Sequence, residues 1–343
     1  MNPKLKLLAE AQGGVFSRRQ ALASGYTPRQ IVERLGDGRW ERLRRGQYAE
    51  RLDLAALPPW EQQRISHLRI VHAVMNSLRA GTVVISHQSA LALHGLPLWG
   101  LDLTRVHVTR VDDRAGGLVA GVQHHLGELV PADLTHAAGL PVTTVPRALV
   151  ETACTTSFEA AVVTADVVLR EGLVDADELH RLLMVTEFWP GSPTARAALG
   201  FANPLSESVG ESRLRVLMHR FGLPEPVLQA EFADSDGFVA RVDFHFPSYR
   251  TVVEFDGMLK YGDGSPEVLV HEKRREDRLR ALGLQLVRAT WADFNRPAHL
   301  AATIRQACWV SGLGVGGGLR PGGLRSGVLG GPSRGRRSRR GPC

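Results

Sequence analysis

Six side chains toward the C-terminal end have the types and spacing for phosphate chemistry: Asp243 in "ARVDFHF", Glu254 and Asp256 in "TVVEFDG", Lys260 just after, Lys273 in "HEKRRED" and, upstream, Glu211 in "SESVGESRLR". Asp243 and Glu254 stand eleven positions apart across the turn "PSYR", so an antiparallel hairpin brings their carboxylates close together. Like charges a few ångströms apart repel and raise one another's pKa, and a bound divalent cation relieves them. An oxygen-only donor set favours Mg²⁺ or Mn²⁺ over zinc. The alternative is a solvated sheet edge whose carboxylates are answered by arginines. Lysine is scarce: only Lys4, Lys6, Lys260 and Lys273 occur, leaving 38 arginines among 42 basic residues. A lysine is a compact point charge with a tunable pKa, suited to a place beside a phosphate or an attacking water.

The elements that must position these groups are readable. "SESVGESRLRVLMHRFGL" forms an amphipathic helix with Leu214, Leu217, Met218 and Phe221 on one face and Glu207 and Glu211 near its start. The strand "PEPVLQAEF" follows, then the hairpin. In its first strand Val242, Phe244 and Phe246 alternate with Arg241, Asp243 and His245; in its second, Val252, Glu254 and Asp256 share a face. A helix carrying Glu272, Lys273, Glu276 and Asp277 leads into a last strand, "LQLVRATW".

This αβββαβ order over residues 204–305 is similar to that of PD-(D/E)XK nucleases. The segments "GESRLR", "VDFHFP", "VVEFDGMLKY", "EKRREDRLRALG" and "VRATWADF" resemble an uncharacterised endonuclease-like domain related to very-short-patch-repair nucleases. The resemblance implies that Asp243 and Glu254 bind Mg²⁺ or Mn²⁺ with Glu211 in support, and that the domain hydrolyses DNA phosphodiesters through a metal-activated water. The lysine expected two residues after Glu254 is Asp256 here. Asp256 then holds a second metal or replaces that lysine electrostatically, and Lys273 or Lys260 supplies the cation. The same departure leaves a second reading open, a nuclease fold that has lost activity.

At the other end, residues 1–50 carry ten basic and five acidic residues. Ser17 before "RRQALASG" and Thr27 before "PRQIVERLGDG" read as helix N-caps, and "WERLRRGQYA" turns at Gly46. Helix, helix, turn, helix and basic hairpin is the order of a winged helix-turn-helix. Residues 28–35 form its recognition helix, with Ile31, Val32 and Leu35 inward and Arg29, Gln30, Glu33 and Arg34 toward the major groove. Arg42, Arg44 and Arg45 lie on the wing, against phosphates or the minor groove. A small helical domain with a solvated arginine face is the alternative. "GGVFSRRQALASGYTPRQIVERLGDGRWERLRRGQYA" resembles the N-terminal domain of AbiEi-family antitoxins, which implies promoter binding, repression of its own operon and a cognate toxin protein as partner.

Between these ends, residues 61–190 open with a helix over 61–80. Ser86 then caps a helix from His87 to His94, "RVHVTRV" and "GVQHHL" read as strands, and Thr144 opens three helices reaching about residue 185. "SHQSALALHGLP" and "GLPVTTVPRALVE" are similar to the region after the winged helix in AbiEi-like antitoxins. His87, His94, His124 and His125 show no ligand spacing such as HExxH, so packing and hydrogen bonding are their expected roles. Residues 52–60 and "EFWPGSPTARAALGFANPLSESVGE" read as linkers.

The bulk numbers fit two or three modest cores in 343 residues that are 43% hydrophobic. The expected class is a multidomain α+β protein. It comprises a winged helix-turn-helix (1–51), an α/β middle domain (61–190), an αβββαβ restriction-endonuclease-like domain (204–305) and a disordered Gly/Arg tail (311–343). That tail carries seven arginines and no acid, which matches the whole net charge of +7. It either helps to grip nucleic acid or is an unselected extension of the reading frame. Cys154, Cys308 and Cys343 form no CxxC pair, so reduced thiols, a cytoplasmic setting and no cysteine-based zinc site are expected. Neither a signal peptide nor a membrane span is legible. DNA is the expected partner, with no membrane and no small-molecule cofactor. The function is either a DNA endonuclease targeted by its own binding domain, in defence or repair, or a non-catalytic antitoxin-like repressor.

Overall fold

The computed structural model describes residues 1–112, 114–257 and 266–312; Lys260 and the tail from residue 313 lie outside them. Among the described residues the chain is mixed α/β, with twelve α-helices and three sheets. None of these helices is long and apolar enough to cross a membrane.

The N-terminal unit runs α1 (Pro3–Glu10), β1 (Val15–Ser17), α2 (Arg18–Ala23), α3 (Pro28–Gly36), β2 (Trp40–Arg44) and β3 (Gln47–Glu50). Its strands pair in the order β1-β3-β2, consistent with a winged helix. Both expected N-caps are capping boxes, Ser17 with Gln20 and Thr27 with Gln30. Trp40 centres the core, edge-on to Phe16 at 4.7 Å and Tyr26 at 4.9 Å. Val32 departs from the inward face expected for it and is 69% exposed. Ile31 and Leu35 stand one turn apart on the buried stripe; Val32 is rotated about 100° from Ile31, and this short helix buries one stripe only.

The middle unit comprises α4 (Pro59–Met75), β4 (Val83–Ile85), α5 (His87–Leu93), β5 (Val106–Arg110), β6 (Gly117–Val119), β7 (Val122–His125), β8 (Leu134–Ala137), β9 (Leu140–Thr143), α6 (Val145–Thr155), α7 (Phe158–Arg170), α8 (Ala176–Val185) and α9 (Ser192–Phe201). Its mixed sheet has the order β6-β7-β5-β4-β9-β8. Val71, Ile85, Leu91, Val108, Leu149 and Leu182 belong to its core. The segment expected as the second linker contains α9, which buries Ala195, Ala198 and Leu199. Gly191 precedes it at φ +84°, where a Cβ would lie 1.9 Å from the Cys154 carbonyl oxygen. The glycine that looks like linker composition is a close-packing requirement.

The C-terminal unit has α10 (Val209–Arg220), β10 (Val227–Asp234), β11 (Gly237–Phe246), β12 (Thr251–Asp256), α11 (Pro266–Ala281), β13 (Gln285–Thr290) and α12 (Pro297–Gly312). The strands lie in sequence order, antiparallel except that β12 and β13 run parallel. Leu214, Leu217 and Met218 of α10 join Leu300 and Ile304 of α12 around Phe244, Phe246 and Val253. Under α11, Leu279 meets Ala240 and Val252.

Val216 of α10 shares a cluster with Ala161, Val162, Ala195 and Ala198, so α7, α9 and α10 form a continuous packed seam. At the seam Arg215 Nη2 donates to both oxygens of Asp166 at 2.7 and 2.8 Å, and the Asn203 amide donates to the same carboxylate. The two side chains are 7% and 0% exposed. Removing one member strands the other charge without water, so Asp166→Ala is expected to destabilise the chain by about 3–5 kcal/mol, and Asp166→Leu with Arg215→Met by much less. Urea unfolding of both variants checks this; equal losses would show that the pair itself, rather than the stranded charge, sets the cost.

Candidate nucleic-acid interface and carboxylate hairpin

In the N-terminal unit, α4 packs on β1 and β2, and the outer side of α3 stays exposed. Arg29 and Gln30 lie there, but the Gln30 side-chain oxygen accepts from the Thr27 amide at 2.9 Å, completing the cap. Arg34 is half-buried with its guanidinium over Tyr26 at 5.1 Å and Trp40 at 5.4 Å, so it anchors α3 by cation–π contact. Arg42 and Arg45 are exposed on the wing. Arg44 is not: burial depresses its pKa, and it lies near enough to His124 of β7 to help lower that imidazole's pKa. It faces the middle unit because the wing rests against it. Sequence reading passed over Arg18 and Arg19, both exposed, with the Arg18 amide donating to the Gly46 carbonyl of the wing turn at 2.9 Å. Their signal was the "SRR" directly after the cap. Glu33 and Asp37 near the end of α3 pair with Arg39, which offsets their charge.

In the hairpin, the ladder ends at Phe244 and Val253, and Asp243 and Glu254 are the next residue on each strand, near enough for Asp243 to raise the Glu254 pKa. Asp243 Oδ2 accepts from the Phe255 amide at 2.7 Å. Burial raises the Asp243 pKa to about 6, with repulsion from Glu211 and Glu207 adding, while the Phe255 amide and Arg275 oppose. Burial also raises that of Glu254, and Asp243 adds to it against the pull of Arg275. Glu211 Oε2 accepts from the Glu207 amide at 3.0 Å and from Gln229 Nε2 at 2.9 Å.

The cation beside Glu254 is Arg275 of α11, which donates to both carboxylate oxygens and to Glu272. The arginine-answered alternative is thus the arrangement present, with the carboxylates partly buried rather than solvated. Lys273 is exposed; two positions on a helix turn it about 200° from Arg275, away from Glu254. Asp256 is exposed at the end of β12, and Lys260 lies outside the described residues. The donors that suit Mg²⁺ or Mn²⁺ are Asp243 and Glu254 with Glu211 nearby, and a metal would compete with Arg275 for Glu254.

The histidines divide. His94 Nε2 bonds the Thr143 carbonyl at 2.8 Å, the hydrogen-bonding role expected for it. His87 and His125, far apart in sequence, meet a third histidine that spacing did not single out, His107 of β5.

Residues 3–51 match the AbiEi_4 family, described as "Transcriptional regulator, AbiEi antitoxin". Over 233 residues the chain is 29% identical to an uncharacterized protein of Mycobacterium tuberculosis strain CDC 1551 / Oshkosh, covering 68% of this chain and 83% of that relative. The same values hold for an uncharacterized protein of Mycobacterium tuberculosis strain ATCC 25618 / H37Rv. The N-terminal unit is therefore similar in sequence to an antitoxin-type transcriptional regulator domain.

Proposed function

We propose that the protein is a transcriptional regulator of antitoxin type that binds duplex DNA with α3 in the major groove and the wing along the backbone. The observation that carries this is the exposed set Arg18, Arg19, Arg29, Arg42 and Arg45 on a segment matching a family of such regulators. Arg29, at the start of α3, reads a base edge; the other four meet phosphates and release counterions. A cognate toxin protein is the second partner under this reading.

The hairpin supports a second reading, in which residues 204–305 are a metal-dependent DNA endonuclease domain. The element order αβββαβ and the neighbouring carboxylates Asp243 and Glu254 support it. Mg²⁺ or Mn²⁺ held there would polarise a phosphodiester and acidify a water. Glu211 would fix the pair's outer side, and Arg275 would take over the charge role of the motif lysine.

Anisotropy titrations with DNA from upstream of the gene test the first reading. Arg29→Ala is expected to cost about 1–3 kcal/mol and to relax sequence preference. Arg45→Ala is expected to flatten the slope of log K against log salt by about 0.9, and Arg44→Ala to leave it unchanged. Equal loss from all three would remove the docking geometry proposed.

For the second reading, supercoiled plasmid is incubated with protein and Mg²⁺, Mn²⁺ or EDTA. Nicking that needs metal and is absent in Asp243→Ala and Glu254→Ala is expected; binding without nicking would leave the regulator alone. Burial of the Asp243 carboxylate, with repulsion from Glu211 and Glu207 adding, also has a pH signature. The folded-state pKa of Asp243, about 6, lies above the ordinary 3.8, so its ionisation opposes folding, fully above pH 6 and not at all below about pH 4. In EDTA, Asp243→Asn, which keeps an acceptor for the Phe255 amide, should stabilise the fold by roughly 1–2 kcal/mol at pH 8 and by little at pH 4. A pH-independent difference in urea midpoint would contradict this.

A further inference from the structure

The middle unit holds a cluster of imidazoles that the regulator reading does not use. β5 and β7 run parallel with His107 opposite Gln123 and Thr109 opposite His125, which sets His107 and His125 as diagonal neighbours on one face of the sheet. His107 Nδ1 lies 2.9 Å from His125 Nε2. His87, the first residue of α5, stacks on His125 with ring centroids 3.7 Å apart and planes at 18°. One ring nitrogen from each of the three falls within 4.8 Å of the others. His87 takes φ +54°, a left-handed conformation uncommon outside glycine, and such strain persists only where the surroundings hold it.

Two of the three rings, His87 and His107, have a supporting partner outside the cluster. His87 Nδ1 is 3.0 Å from Ser86 Oγ and 3.6 Å from Glu151 Oε2, and the His87 amide donates to that same oxygen at 3.2 Å. Arg147 Nε fixes Glu151 from behind at 2.9 Å. His107 Nε2 contacts Gln88 Nε2 at 2.9 Å, while Gln88 Oε1 is buried with no hydrogen-bond partner. Burial, with repulsion from neighbouring imidazoles adding (His125 on His87 and His107, His124 on His125), favours the neutral rings: the His87 pKa falls well below 6.5, that of His107 to about 3 and that of His125 to about 4. A neutral imidazole is the form that binds metal.

We infer that His87, His107 and His125 form a binding site for one divalent transition-metal ion, with zinc the best match. With His87 Nδ1 hydrogen-bonded to Ser86 Oγ, Nε2 is left for the ion, and the hydroxyl fixes the ring's orientation as an outer partner of a metal ligand does. Turning the Gln88 amide over puts its unpartnered Oε1 on His107 Nε2–H and frees Nδ1 for the ion, at the loss of the 3.2 Å bond to the Asp102 carbonyl. The 2.9 Å between His107 Nδ1 and His125 Nε2 is a few tenths of an ångström under the edge of a zinc tetrahedron with bonds of about 2.0–2.1 Å, and since an imidazole binds metal in its ring plane, His87 must also turn out of its 18° stack on His125 for the ion to enter. His125 is only partly buried, which leaves a fourth position for water. The all-nitrogen set selects against Mg²⁺. This site is independent of the carboxylate hairpin.

The test uses the full chain, stripped with EDTA and dialysed, and titrated with Co²⁺ and then Zn²⁺. One equivalent of Co²⁺ with visible absorption of low coordination number is expected, bleached by Zn²⁺, and Zn²⁺ should raise the melting temperature in a concentration-dependent way. His107→Gln and the half-buried His125→Gln should lose the spectrum and the shift while melting like the parent in EDTA, whereas Asp243→Ala keeps both. Gln88→Leu should weaken Co²⁺ binding roughly ten-fold or more. Failure of the parent chain to take up Co²⁺ stoichiometrically, or a spectrum that survives in His125→Gln, overturns the site whatever the other variants do.

Discussion

Arg147 is the constraint around which the middle unit is organised. Its side chain is 1% exposed, yet it carries a full charge, met by Glu151 at 2.9 Å and Asp133 at 3.2 Å. Its guanidinium also lies 5.0 Å from the Trp189 ring. Burial raises the Glu151 pKa despite this partner, so desolvation outweighs attraction at that carboxylate. Such a network contributes little net stability compared with apolar packing, and the cost of breaking it is high. What it fixes is arrangement. Asp133 leads into β8 and also receives Arg181 of α8, while Glu151 on α6 holds the first turn of α5 through His87. Four elements are thereby tied to one buried cation.

From that frame the two ends are positioned by further ion pairs. Arg215 and Asp166 bind the first helix of the C-terminal unit to α7. Toward the N-terminal unit, Arg69 of α4 donates to Glu41 and to the Glu50 carbonyl, and Asn76 donates to Gln47 at 2.9 Å. The wing is therefore docked on its inner side, which is why Arg44 faces His124 while Arg42 and Arg45 face solvent. The DNA-facing surface of the regulator reading is defined by what α4 covers as much as by the arginines.

Local signals carried the legible part of this structure. Ser17 and Thr27 each precede a glutamine three positions on, and both caps formed, because a capping box is satisfied within four residues. The alternation of Val242, Phe244 and Phe246 marked a buried strand face for the same local reason. The misses share a different cause. α9 was hidden because Gly191 and Pro193 are read as linker composition until the Cys154 carbonyl, far away in sequence, is seen to exclude a side chain at 191. Arg44 and Arg34 look like groove contacts until the surfaces beside them are known. Arg275 was hidden among the arginines of α11, and only the packing of that helix on the sheet selects it over Lys273. His107 lacked any ligand spacing because its partners come from α5 and β7.

The identity of the cation at Glu254 bears on function. A lysine in that place is a rotatable point charge that can follow a substrate and adjust its pKa. Arg275 instead spans both oxygens of Glu254 and reaches Glu272, and Arg288 approaches Glu272 from β13. A planar guanidinium with fixed donors holds charge in one geometry and cannot give up its proton. The hairpin thus has its repulsion offset by a structural ion-pair network joining β12, α11 and β13. In a chain whose cations are almost all arginine, that network serves the fold without metal, and cleavage chemistry would have to displace it. The exposed arginines of α2, α3 and the wing face no such competition, and this asymmetry is the physical reason that DNA recognition is the primary reading and hydrolysis the secondary one.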